Sequence, residues 1–131
     1  MKTILLAEDD KKIAMALTVR LKSLGFSVVT AHDVPTALIV ARKHDPDLAL
    51  VDIGLPGGDG FRVADCLRTQ VCARDVPVIF ITASKKEGLR ELATKHGATG
   101  FLEKPFKASE LVAKIDSALL KMNSWQEPRV S

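Results

Sequence analysis

The chain has 131 residues, 47% hydrophobic and 27% charged, with a formal net charge of +3. That is the length and composition of one ordinary globular domain, able to bury most of its apolar surface, and it excludes a low-complexity or disordered chain. An excess of 19 basic over 16 acidic residues is too small and too scattered to argue for direct nucleic-acid binding, and no apolar run approaches membrane-spanning length.

Residues 3–7 are a short apolar run that stops at Glu8-Asp9-Asp10, read as a buried strand with acids at the mouth of a helix. That run is too short for a signal peptide. Asp10 is a fair N-cap, and carboxylates at a helix start are favoured by the helix dipole. Ile13, Leu17, Leu21 and Leu24 recur at helical spacing before Gly25 supplies a stop. Residues 26–31 form a second, more polar strand suited to a sheet edge. Asp33 then caps a helix with Pro35 in its first turn, Leu38 and Ala41 on its apolar side and Asp45-Pro46 at its end.

Residues 48–51 carry one carboxylate, Asp52, to the end of a third apolar run, and a loop rich in Gly and Pro follows at once. Asp52 thus sits where a buried strand opens into a loop, which in open α/β sheets is where ligands bind. An acid in that place is either a capping or solvated loop residue or a reactive group. Asp59 caps a third helix with Phe61, Ala64, Leu67 and Val71 on one face. Residues 76–81 are a fourth buried strand, with Pro77 tolerable at its start, ending in Thr82-Ala83.

Ser84 and Glu87 have capping-box spacing for a fourth helix, whose apolar residues (Leu89, Leu92, Ala93) are few among its charges. Its packing should be the weakest of the five, which makes it the candidate mobile element. Gly97 closes it, residues 99–103 are a short fifth strand running into Lys104-Pro105, and a last helix places Leu111, Ile115, Leu119 and Met122 on one face. Residues 1–122 make the domain. From 123 to 131, a stretch holding Trp125 and Pro128, the pattern is lost and a tail or linker stub is expected. Cys66 and Cys72 match neither a metal spacing nor a redox pair and are expected as reduced thiols of a cytoplasmic protein, one or both against the core.

Five strands alternating with five helices through short loops imply a parallel sheet covered on both faces. Parallel strands end on one side, so Glu8, Asp9, Asp52, Thr82 and Lys104 can meet if the first, third, fourth and fifth strands are neighbours. Three carboxylates there would repel unless a hard cation sits among them, and Mg²⁺ suits few protein carboxylates, retained waters and phosphate oxygens. A hydroxyl and an ammonium beside it complete a cradle for a phosphoryl group, and a carboxylate is a known type of phosphate acceptor. Taken singly, each residue has a bland reading: a solvated helix start for the acids, a turn hydroxyl for Thr82, a surface lysine for Lys104, a core aromatic for Phe101. His32, His44 and His96 fall at helix ends and loops, where solvated or capping roles are expected.

The stretches Ile4-Leu5-Leu6-Ala7-Glu8-Asp9-Asp10, Val51-Asp52-Ile53-Gly54-Leu55-Pro56-Gly57-Gly58-Asp59-Gly60, Ile81-Thr82-Ala83 and Lys104-Pro105-Phe106 resemble the receiver domain of two-component response regulators, over residues 4 to about 121. The resemblance implies a flavodoxin-like (βα)5 doubly wound sheet of strand order 2-1-3-4-5. It implies phosphorylation of Asp52 by a sensor histidine kinase or a histidine phosphotransfer protein. Asp9 and Asp52 would bind Mg²⁺ directly, Glu8 through a water, and Gly54 through its carbonyl. Thr82 and Lys104 would hold phosphoryl oxygens, and Lys104–Pro105 should be cis. Phe101 matches the aromatic switch position, where Phe lacks the polar tip of Tyr or His and should prefer the exposed rotamer less.

On that resemblance the chain is no enzyme beyond its own Mg²⁺-dependent phosphorylation and dephosphorylation. A phosphatase of the haloacid-dehalogenase kind needs an acid two residues after the nucleophile, where this chain has Gly54. A flavin or nucleotide module needs a Gly-rich turn after the first strand, which is missing. The alternative kept open is a degenerate receiver serving as a phosphorylation-independent interaction module. Gly54 and Ser84 are both small where they flank the route of water to the acceptor. The output, whether a downstream protein target or a missing output domain, is not specified. Residues 85–121 carry a mild basic bias, and the loop Gly97-Ala98-Thr99-Gly100 lacks the paired acids that bridge dimers in the winged-helix subfamily.

Overall fold

A computed structural model describes residues 1–71 and 75–126, with the backbone alone at 70, 71 and 121–126. Five strands, β1 (Thr3–Ala7), β2 (Ser27–Ala31), β3 (Leu48–Asp52), β4 (Val78–Thr82) and β5 (Gly100–Glu103), alternate with five helices. These are α1 (Lys11–Ser23), α2 (Val34–His44), α3 (Gly60–Cys66), α4 (Leu89–Lys95) and α5 (Ala108–Gln126). A π-helical turn, Leu67–Val71, continues α3. All neighbouring strands are parallel, in the order β2-β1-β3-β4-β5, the flavodoxin-like arrangement anticipated above.

A parallel sheet covered on both faces needs strands that are apolar on both faces, and alternation divides their side chains between two layers. Leu5, Ala49, Val51, Val78 and Phe80 pack with Ala37, Phe61, Val63 and Leu67 on one side. Ile4, Leu6, Leu48, Leu50, Ile79 and Ile81 pack with Leu17, Leu21, Leu111 and Ile115 on the other. β2, at the edge, is half-buried along most of its length, which accounts for its more polar sequence. Among the described residues no helix is long and apolar enough to cross a membrane.

Three aspartates start helices as expected. Asp10 accepts from the N–H groups of Lys12 and Ile13, Asp33 from Thr36, and Asp59 from Arg62. The backbone and side-chain hydrogen bonds from Thr36 hold the Asp33 carboxyl below its usual range. Leu24 departs from its expected place. It is the C-cap of α1, where the helical backbone ends, and it is 42% exposed although it continues the spacing of the buried Ala14, Leu17 and Leu21.

The expected capping box at Ser84 and Glu87 does not form. α4 begins at Leu89, after Gly88 at φ +87°, with no side-chain cap. Ser84 instead donates its N–H to Thr82 Oγ1 (3.0 Å) and accepts from Lys86 N–H (3.2 Å), local bonds that compete with helix. α4 fully buries Ala93 alone. Its C-terminal end is tied down by polar contacts: Arg68 donates to the carbonyls of His96 (2.5 Å) and Gly97 (2.7 Å), and His96 pairs with Asp65 at 3.0 Å while stacking on Phe61. Cys66 is buried and unpaired. Cys72 and residues 127–131 lie outside the described residues, as do the side chains of Val71, Met122 and Trp125.

Candidate functional site

Strand register assembles the site. Ala7 pairs with Val51, so Glu8 emerges beside Asp52. Asp52 pairs with Ile81, and Thr82 pairs with Glu103, so Thr82 and then Lys104 follow on the adjoining strands at the same rim. The order that puts β1, β3, β4 and β5 side by side is what lets four separate strand ends meet.

Glu8 (1% exposed), Thr82 (4%) and Asp52 (8%) are the buried polar residues among those described, while Asp9 is exposed. One carboxylate oxygen from each of Glu8, Asp9 and Asp52 lies within 4.8 Å of the others. Lys104 Nζ reaches between two of them, donating to Glu8 Oε1 at 2.5 Å and Asp52 Oδ2 at 2.8 Å. The remaining Asp52 oxygen, Oδ1, accepts from the Gly54 N–H at 2.8 Å. Burial pushes the Glu8 carboxyl up to about 7, against the hydrogen bonds from Lys104 and Asp10 that favour its ionised form. Burial also works against the Lys104 ammonium, but its bonds to Asp52 and Glu8 outweigh this and raise its pKa.

The Thr82 hydroxyl accepts from Ser84 N–H, which leaves its own proton available for another acceptor. Gly54 and Ser84 are exposed, and Gly54 leaves open the space beside Asp52 Oδ1 that a side chain would occupy. The Lys104–Pro105 peptide is cis. Phe101 is 7% exposed, its ring turned inward, with the Arg90 guanidinium 4.8 Å from the ring centroid. Arg90 and Lys85 both approach Glu103, at 4.0 and 3.0 Å. His32, which the sequence placed among solvated or capping histidines, instead bonds the Glu8 carbonyl through Nδ1 at 2.8 Å.

A parallel (βα)5 sheet whose carboxyl edge gathers three acids, a hydroxyl and an ammonium defines a receiver domain. The chain matches the response regulator receiver domain over residues 4–116 and belongs to that family. It is 34% identical over 122 residues to the phosphate regulon transcriptional regulatory protein PhoB of Klebsiella pneumoniae, covering 93% of this chain and 53% of that protein. The chain thus spans about half the length of the curated relatives it matches. Chemotaxis protein CheY4 of Vibrio cholerae has a similar structure (TM-score 0.83, 27% identity, 90% of this chain and 98% of that one). So does the receiver domain of sensor histidine kinase PA1611 from Pseudomonas aeruginosa, solved with a magnesium ion coordinated in its active site cleft (TM-score 0.80, 33% identity, 89% and 96%). The chain is a receiver domain of the two-component response regulators.

Proposed function

We propose that Asp52 is the phosphoacceptor of this domain and takes its phosphoryl group, in the cytoplasm, from a sensor histidine kinase or a histidine phosphotransfer protein. The observation that carries this reading is the Asp52 carboxylate at the end of β3, bonded by Lys104 and flanked by Glu8, Asp9 and Thr82. The donor set fits Mg²⁺: three clustered carboxylates offer hard oxygen ligands, and their mutual repulsion is only partly met by one ammonium. Asp9 and Asp52 would hold the ion directly, the Gly54 carbonyl would add a ligand, and Glu8 would act through a water. When bound, Mg²⁺ neutralises charge on the phosphoryl oxygens.

In the transfer step, an Asp52 carboxylate oxygen attacks phosphorus. The P–O bond forms as the P–N bond to the donor histidine breaks, and the electron pair leaves with the imidazole. Lys104 is placed to trade its bond with Asp52 for one with a phosphoryl oxygen, and the Thr82 hydroxyl to donate to another. Movement of Thr82 would leave room for Phe101, and the surface around α4, β5 and α5 would change for a partner. That partner is a separate protein or an output domain such as the longer relatives have room for.

Incubation with acetyl phosphate and Mg²⁺ should add one phosphoryl group by intact mass, and EDTA should prevent it. Failure to label with Mg²⁺ present would overturn the reading in favour of a phosphorylation-independent interaction module. The lifetime of the acyl phosphate should depend on the two small residues over Asp52. Gly54→Asn and Ser84→Glu are expected to change the dephosphorylation rate while thermal melts stay near wild type, and unchanged lifetimes in both variants would refute that dependence.

A further inference from the structure

We propose that His32 is a positioning residue for the Mg²⁺ site, acting through the peptide bond between Glu8 and Asp9. This inference rests on the reading of the acidic cluster given above. The Glu8 carbonyl can only accept, so the 2.8 Å contact places a proton on His32 Nδ1 and fixes the ring's donor toward the peptide. Glu8 is then held at every polar atom. Its N–H donates to the Ala31 carbonyl (3.0 Å), its carbonyl accepts from His32, and its carboxylate accepts from Asp10 N–H and Lys104.

Asp9 differs. Its side chain is exposed, and none of the hydrogen bonds or ion pairs found among the described residues involves its carboxylate. Its direction is set by its backbone, and the carbonyl that His32 grips belongs to the peptide that orients Asp9. A ligand without contacts of its own depends on the frame behind it, and outer-shell hydrogen bonds of this kind tune metal affinity. β2 supplies the frame: Ala31 closes the strand on Glu8 N–H, and His32, the next residue, closes on its carbonyl. His32 also lines the groove between α1 and β2 with Lys11, Thr18 and Thr30, outside both apolar layers, so trimming it leaves the core intact.

The test is a Mg²⁺ titration of the full chain followed by NMR at the Asp9 and Gly54 amides, for wild type, His32→Ala and His32→Asn. Asparagine can present an amide N–H near the position of Nδ1. Wild type should bind, His32→Ala should bind about tenfold more weakly, and His32→Asn should recover most of the affinity. In the metal-free proteins the Asp9 amide resonance should move in His32→Ala, with the core spectrum and melting temperature little changed. Equal Mg²⁺ affinity in wild type and His32→Ala would overturn the positioning role. Weakening in both variants together with core-wide shifts would also overturn it, since that marks general destabilisation. No Mg²⁺ binding by wild type would instead overturn the reading of the site on which the role depends.

Discussion

Asp52→Asn is expected to reduce labelling by acetyl phosphate and Mg²⁺ to the level of unreacted protein, with the folded structure retained. Asparagine has the shape of aspartate, and its carbonyl oxygen can still accept the Gly54 N–H that now bonds Oδ1. What disappears is the anionic nucleophile, because an amide oxygen does not displace phosphorus under these conditions. The fold survives for a separate reason. Lys104 keeps its bond to Glu8, and the substitution removes one of the acids that crowd it, relieving the repulsion that helps to raise the Glu8 carboxyl. Intact mass and mapping of the modified peptide are the measurements. Undiminished labelling of Asp52→Asn, with the group found on Asp9 or Asp10, would show that an exposed acid at the start of α1 is the acceptor.

Most of this architecture was legible because burial and alternation leave strong marks. Ile4 to Ala7, Leu48 to Val51 and Val78 to Ile81 are apolar on both faces, and only a strand covered on both sides needs that. The aspartate caps were equally readable, since an N-cap acts through its own neighbours. The site was legible as a set of strand ends, while the closeness of Glu8 to Asp52 depended on β1 and β3 being neighbours, which the family resemblance implied and residue patterns alone did not.

What escaped notice is non-local or competitive. Ser84 and Glu87 have the right spacing for a capping box, yet the Thr82 hydroxyl captures the Ser84 N–H and the chain reaches α4 only after Gly88. Spacing cannot reveal a competitor supplied by a strand end. Arg68 and His32 each bond backbone carbonyls 28 and 24 residues away in sequence, and a carbonyl target leaves no side-chain signature in any motif. α4 read as weakly packed from its few apolar residues. Its anchorage through Arg68, Asp65, His96 and Phe61 is polar and aromatic, so hydrophobic periodicity carried no trace of it.

Gly60→Ala is expected to destabilise the domain by about 3 kcal/mol, at the upper end of ordinary overpacking costs, lowering the melting temperature by roughly 10 °C for a domain of this size. Gly60 opens α3 with its N–H on the Ile53 carbonyl at 2.9 Å, which draws the helix start onto the end of β3. A methyl group there would lie 2.4 Å from the Asp52 carbonyl oxygen and 2.9 Å from Ile53 Cα. Both obstacles are backbone, and neither can swing aside as a flexible side chain would. The helix must lift or the end of β3 must move, and either displaces the peptide that carries Asp52. Labelling of Gly60→Ala should therefore fall even well below its melting temperature. The control is Gly54→Ala, closer still to Asp52 in sequence. A methyl group at that position meets nothing nearer than Asp52 Oδ1 at 3.4 Å, an ordinary contact, so its stability should stay within about 0.5 kcal/mol of wild type. Equal melting temperatures for the two variants would mean that α3 does not press on the acceptor strand, and that Gly60 has no part in holding Asp52 at the rim.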